Sequence, residues 1–184
     1  MSRLHTPVSI EAAPEGSRPS LNAVAKSLGS VPNLFRVVGN SPAALKGYLG
    51  LGNSFSGATL DAKTLERIAL VVAEINGCNY CLSAHTYLGR NVAKLDDAEM
   101  TANRNGASND SKAAAAVRFA AQVVRARGHV SDAQLEAVRA AGYGEAEVVE
   151  IVLAVALNTF TNYLNEVAGT EIDFPLVSAR RAVA

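Results

Sequence analysis

Along this chain apolar residues recur at helical spacing and polar residues fill the gaps, segment after segment. From Leu21 to Leu28 the pattern predicts a short amphipathic helix ended by Gly29. Pro32 opens another, with Leu34, Phe35, Val37 and Val38 as its core side. Ser41-Pro42 reads as an N-cap followed by proline at the first helical position, launching a helix through about Phe55. Gly57 breaks it, and Asp61 or Thr59 caps the next, whose apolar residues are Ile68, Leu70, Val71, Val72 and Ile75. Gly77 stands where a left-handed C-terminal cap is expected, and Cys78 then opens a helix to about Val92, packed through Leu82, Tyr87 and Leu88.

Asp96, Asp97 and Glu99 begin a short helix that ends before Gly106. Asp110 or Ser111 starts the next, which carries Val117, Phe119, Val123 and Val124 and stops at Gly128. Ser131 and Gln134 form a capping-box pattern for a helix ending at Gly142, and Gly144 or Glu145 opens a last long helix to about Ala168. Alternation of period two is essentially absent, and no hairpin signal separates the apolar runs. The expected fold class is all-α, with roughly eight helices in one domain spanning 1–184. Within it, 1–20 reads as an extended, proline-bearing arm and 61–93 as a helix pair.

Composition narrows the partners. Lysine plus arginine and aspartate plus glutamate number 17 each, so no global field draws the chain to nucleic acid or an anionic membrane. The first twenty residues have no apolar core of a secretory signal. The longest apolar run, Val148 to Leu157, is broken by Glu150 and is shorter than a bilayer span. A soluble, cytoplasmic protein is expected. That run is apolar nearly all round, which implies burial on several sides, within the bundle or at a subunit interface. With near-zero net charge, it points to a homo-oligomer. After it come Asn158, Thr159, Thr161, Asn162 and Asn165. Asn158 and Asn162 share a face, and two readings stand: amides satisfying buried backbone, or groups that orient a reactive centre.

The candidate centre lies in Glu66–Arg90. Both cysteines of the chain, Cys78 and Cys81, stand there with His85 at i, i+3 and i+7, on one face of a helix start. A thiolate is the reactive form of cysteine, and its pKa of about 8.5 falls near a helix N-terminus or a protonated histidine. The dipole argument favours Cys78 and the base argument favours Cys81; sequence alone leaves both open. Two thiols at this spacing can close a disulfide once one sulfur is oxidised. Glu66 precedes Ala69, Leu70 and Ala73 on an apolar stripe, so its carboxylate needs a partner, and His85 on the following helix is a suitable one. The rivals are weaker. Two buried hydrophobic cysteines would not require His85 and Glu66. A structural zinc needs four ligands, and only Glu66 or the distant His5 or His129 could complete the set.

The pattern of Glu66 followed by Cys78, Cys81 and His85 resembles the alkylhydroperoxidase D / carboxymuconolactone decarboxylase superfamily. VPNLFRVVGNSPAAL before it and EIVLAVALNTFTNYLNEVAGTEIDFP after it are similar to the peroxidase-related branch, so that the resemblance covers about Val31 to Pro175. One departure matters: well-studied members carry a second histidine between the cysteines, where this chain has Tyr80. The resemblance implies a thiol-dependent peroxidase that uses Cys78, Cys81, His85 and Glu66, a hydroperoxide substrate and an external thiol reductant, with no metal or organic cofactor. It also implies closed oligomers: dimers, trimers or hexamers. Two alternatives are a decarboxylase of the superfamily's other named branch and a non-catalytic redox-sensing oligomer. The role of Tyr80 is open.

Overall fold

A computed structural model describes residues 2–180; the first residue of the expected arm and the last four of the expected domain lie outside it. Nine α-helices and two short 3-10 turns make up the regular structure, with no strand among the described residues. They are α1 (Arg18–Leu28), α2 (Asn33–Val38), α3 (Pro42–Ser54), α4 (Ala62–Ile75), α5 (Asn79–Asn91), α6 (Asp97–Arg104), α7 (Ser111–Ala126), α8 (Asp132–Ala140) and α9 (Glu145–Ala168). The fold is all-α, as the periodicity predicts.

Local chemistry sets the helix starts. The side chains of Ser41, Asp61, Asp96, Asp110 and Ser131 each accept a backbone N–H of the first turn they precede. Ser131 and Gln134 complete the reciprocal capping box. One boundary differs from the sequence reading. The arm ends in a 3-10 turn at Glu15–Ser17, and α1 starts at Arg18, because Pro19 fits a first helical turn rather than an extended strand.

Helix α4 sits at the centre, packed by α5, α6, α7 and α9. Its residues Ile68 to Ala73 are all buried, so two apolar clusters form on its two sides. Leu70 and Ala73 join Leu21, Leu34, Leu45, Cys78, Cys81 and Leu82 on one side. Ile68, Val71 and Val72 join Val117, Phe119, Val123, Ile151 and Val155 on the other. Between α4 and α6, Arg67 donates to Glu99 at 2.7 Å, and Asn103, Ser108 and the Asn109 N–H donate to the same carboxylate. Burial alone would raise the Glu99 pKa, but these donors hold it down at about 2. The tail beyond α9 straps across α5: the Val177 N–H donates to Ser83 Oγ, and the Ala179 N–H to Asn79 Oδ1.

The last helix corrects the expectation of all-round burial. Its inner face packs on α4, α5 and α7. Val149, Val152, Phe160, Tyr163 and Val167 remain 40–66% exposed on the outside. Over 24 residues, α9 is longer than the apolar run alone suggested, and by length and composition it would reach across a bilayer. Core helices pass that test as well, and here the inner face carries Asn158, Asn162 and Asn165 against α4 and α5.

Candidate active site

Chain reversal at Gly77 makes the site. Its backbone is left-handed at φ 72°, which suits glycine, and it turns α4 into the antiparallel α5. Cys78 is the N-cap of α5 rather than its first turn: its Sγ accepts the Cys81 N–H at 3.4 Å. One turn on, Cys81 faces α9 and His85 faces back to α4, where its Nδ1 lies 2.9 Å from Glu66 Oε2. The two side chains of that pair are 21% and 22% exposed, while both cysteines are buried and free.

The structure thus brings Glu66, His85 and Cys81 to one pocket of about 240 Å³. Leu34, Tyr48, Phe55, Leu65, Ala84 and Leu157 supply most of its apolar wall. Cys78 does not line it; it sits behind Cys81 in the apolar cluster. Asn165 Nδ2 donates to Cys81 Sγ at 3.2 Å, and Thr161 Oγ1 lies 3.9 Å from the same sulfur. Asn158 splits the two sequence readings: its amide satisfies the Ala154 carbonyl at 2.9 Å and also lines the pocket beside His85. The Tyr80 hydroxyl accepts the Leu34 N–H at 3.0 Å and its ring meets Phe174 edge-on, so it ties α5 to α2 and to the tail. His129 is exposed in its loop. Among the described residues, no three His, Cys, Asp or Glu side chains converge as metal ligands would.

The electrostatics separate the two sulfurs. A hydrogen bond with Cys78 lowers the Cys81 pKa, burial opposes it, and His85, Asn165 and Asn162 lower it further. The net direction is down. Cys78 moves the other way, raised by the same hydrogen bond, by burial and by the negative charge on Cys81. Burial would lower the His85 pKa, but the Glu66 carboxylate and its hydrogen bond, together with Cys81 and Asn158, outweigh that and raise it. Both shifts run towards the charged forms, thiolate at Cys81 and imidazolium at His85. The helix-dipole argument for Cys78 gives way because its thiol is hydrogen-bonded to Cys81 and stands outside the pocket.

Residues 42–125, which hold all four of these side chains, match the carboxymuconolactone decarboxylase family. That match takes in the helices that carry the site, and the likeness of the whole chain to solved structures is one of fold. Its fold is similar to that of an uncharacterized peroxidase-related protein from Ralstonia eutropha JMP134 with an alkylhydroperoxidase AhpD core (TM-score 0.82, 24% identity, covering 94% of this chain and 92% of that one). A peroxidase-related protein from Silicibacter sp. TM1040 is similar as well (TM-score 0.79, 22% identity, 93% and 94% covered). So is the debrominase Bmp8 (TM-score 0.77, 21% identity, 93% and 92% covered). No protein of curated function matches the chain. Sequence reasoning missed the contact of Asn165 with the sulfur and the part of Tyr48 and Phe55 in the pocket. The asparagine stripe on an apolar helix was the available signal for the first; the second depends on how α3 crosses α9 and has none.

Proposed function

We propose that this chain is a thiol-dependent oxidoreductase that reduces hydroperoxides through Cys81 and Cys78. The observation that carries the reading is a buried sulfur, Cys81, exposed only to an apolar pocket that it shares with the hydrogen-bonded Glu66–His85 pair. The Cys81 thiolate attacks the terminal oxygen of the hydroperoxide, the O–O bond breaks, and Cys81 becomes a sulfenic acid. The His85 imidazolium, held by Glu66, gives its proton to the leaving alkoxide. Cys78 then attacks the sulfenic sulfur, water leaves, and a Cys78–Cys81 disulfide forms. An external dithiol reduces that disulfide to the starting pair. Such a cycle belongs in a reducing, cytoplasmic setting, and the exposed apolar face of α9 provides the surface for a homo-oligomer.

A second reading is favoured by the apolar, aromatic-bearing pocket and the likeness to a debrominase. In it, Cys81 takes a halogen from an electron-rich ring as a sulfenyl halide, and the ring carbon receives a proton. Cys78 then displaces halide and forms the same disulfide. Both readings consume one dithiol per turnover and differ in the substrate. With dithiothreitol as reductant, loss of cumene hydroperoxide that is abolished in Cys81→Ser supports the first. Halide release from a brominated pyrrole without peroxide loss replaces it with the second. A chain that does neither, yet closes its disulfide under peroxide, would be a redox sensor and would overturn both.

A further inference from the structure

Helix α9 is apolar over most of its length, yet the face it turns to the sulfur is lined with amides. Asn158, Asn162 and Asn165 stand at i, i+4 and i+7, and Asn162 and Asn165 are 0% and 2% exposed. Two of their polar atoms, Asn162 Nδ2 and Asn165 Oδ1, are buried without a protein partner. Leucine would fill the same volume without leaving polar atoms unpaired. Retained amides in such a place call for a function, and the sulfur is the group beside them.

We propose that Asn165 and Asn162 form an amide cradle that holds Cys81 as the attacking thiolate, with Asn76 fixing the Asn162 amide from the end of α4. The geometry carries it in two steps. Asn165 Nδ2 donates directly to Cys81 Sγ at 3.2 Å. Asn76 Nδ2 donates to Asn162 Oδ1 at 2.9 Å, so the acceptor end of that amide is occupied and its donor end is left for the sulfur. The inference rests on the reading of Cys81 as the nucleophile and adds to it. Neutral donors do not titrate. They stabilise the sulfur's negative charge whether or not His85 is protonated, whereas the imidazolium does so only below its own pKa. Asn165 and Asn162 are therefore positioning residues, acting through the sulfur, and the cradle also selects Cys81 over Cys78, whose sulfur neither amide contacts.

The charged and titratable neighbours of the sulfur are few. Cys78, Tyr80 and His85 come from α5, Glu66 from α4 and Tyr48 from α3, while Glu166 on α9 acts on Cys78. Both tyrosines are pushed up by burial and stay neutral through the accessible range. His85, held by Glu66, is therefore the cationic group that acts on Cys81.

The test is the pH dependence of iodoacetamide alkylation at Cys81, followed by peptide mass spectrometry on the full chain. Asn165→Leu is expected to raise the midpoint by about one pH unit, a roughly tenfold loss of reactivity below both midpoints. Asn165→Asp, which replaces the donor with a negative charge at the same volume, shifts it further. Asn76→Ala shifts it less, and the Asn165→Leu shift persists in a His85→Ala background. Folding of each variant is checked by circular dichroism. If Asn165→Leu does not fold, Asn165→Asp and Asn76→Ala carry the test. Folded variants with the parent's midpoint overturn the cradle and leave the oxidoreductase reading standing. A parent whose Cys81 alkylates with an ordinary thiol midpoint overturns both. Alkylation needs no peroxide, so failure to find a substrate does not enter the result.

Discussion

Replacing Glu66 by glutamine isolates one link of the site, because glutamine keeps the shape and a hydrogen bond but removes the charge. In the parent, Glu66 Oε2 lies 2.9 Å from His85 Nδ1 with both side chains about four-fifths buried. At an effective dielectric near 20, two charges about 4 Å apart attract by roughly 4 kcal/mol, and desolvation opposes part of that. A hydrogen bond to a charged group nets roughly 1.5–3 kcal/mol, and this is the interaction that holds the His85 pKa up against burial. Without the carboxylate, only Cys81 and Asn158 oppose burial, and the His85 pKa falls, which favours the neutral imidazole. Cys81, which the site holds at about 6, then loses its cationic neighbour but keeps Cys78, Asn165 and Asn162. Its midpoint should rise by about half to one unit, and its alkylation at pH 5, below both midpoints, should slow by roughly three- to tenfold. His85→Ala should shift it further, with reactivity recovering as pH rises towards the ordinary thiol value of about 8.5. The sign is fixed: a depressed thiol loses reactivity as pH falls through its folded pKa, so both variants lose most below neutrality. Alkylation rates with iodoacetamide from pH 5 to 10 measure this. Profiles that overlay the parent in both variants would refute the relay and leave His85 a packing residue.

Other outcomes follow from the same geometry. Cys78→Ser should consume one equivalent of peroxide and stop at a Cys81 sulfenic acid trapped by dimedone, whereas Cys81→Ser should consume none. Glu99→Gln removes the charge and one of the two acceptor oxygens that four donors share between α4, α6 and the loop before α7; it should destabilise the fold by about 2–4 kcal/mol at pH 7, read by urea unfolding. In the parent, the Glu99 contribution is present above the unfolded carboxylate pKa of about 4.3 and is lost as pH falls towards its folded value of about 2. Tyr163→Lys combined with Val167→Glu, on the exposed face of α9, should yield a monomer of the 19.2 kDa chain mass in light scattering, where the parent should give an oligomer. A parent that is monomeric at micromolar concentration would sink that last expectation.

Helix boundaries were legible because caps are local. Ser41, Asp61, Asp96, Asp110 and Ser131 act within three residues of themselves, and the chain spells out each one. The Glu66–His85 contact was legible because a short turn at Gly77 forces α4 and α5 to run antiparallel. What escaped depends on distant segments. Arg67 pairs with Glu99 across to α6 rather than with its neighbour Glu66, and nothing near either residue announces that. The Tyr80 hydroxyl is spoken for by the Leu34 N–H, 46 positions away, and the tail strapped over α5 has no periodicity to read. Nor does apolarity all round a helix say which side is covered, since the pattern is the same for a core helix and for one whose outer face stands open.

The second half of helix α9 inverts the usual order of an amphipathic helix, with amides towards the core and apolar side chains towards solvent. Val149, Leu153, Ala156, Phe160, Tyr163 and Val167 recur at alternating spacings of four and three, the 3.5-residue period by which two helices pack side by side. The amides lie on the other side, against the sulfur and the end of α4. In an isolated chain each face would lower the stability of the helix: unpaired buried amides on one side, wetted valine and tyrosine on the other. Both become intelligible together if the amides are held for the thiolate and the outer stripe is covered by a second copy of the chain. On that account assembly supports the site mechanically, since the turn that carries Phe160 outward also carries Thr161 and Asn162 inward. The double substitution at Tyr163 and Val167 should then loosen the amides as well as the oligomer, and the Cys81 alkylation midpoint should drift upward in the monomer. A monomer that keeps the parent's midpoint would separate the two faces, and would leave the cradle a property of the single chain.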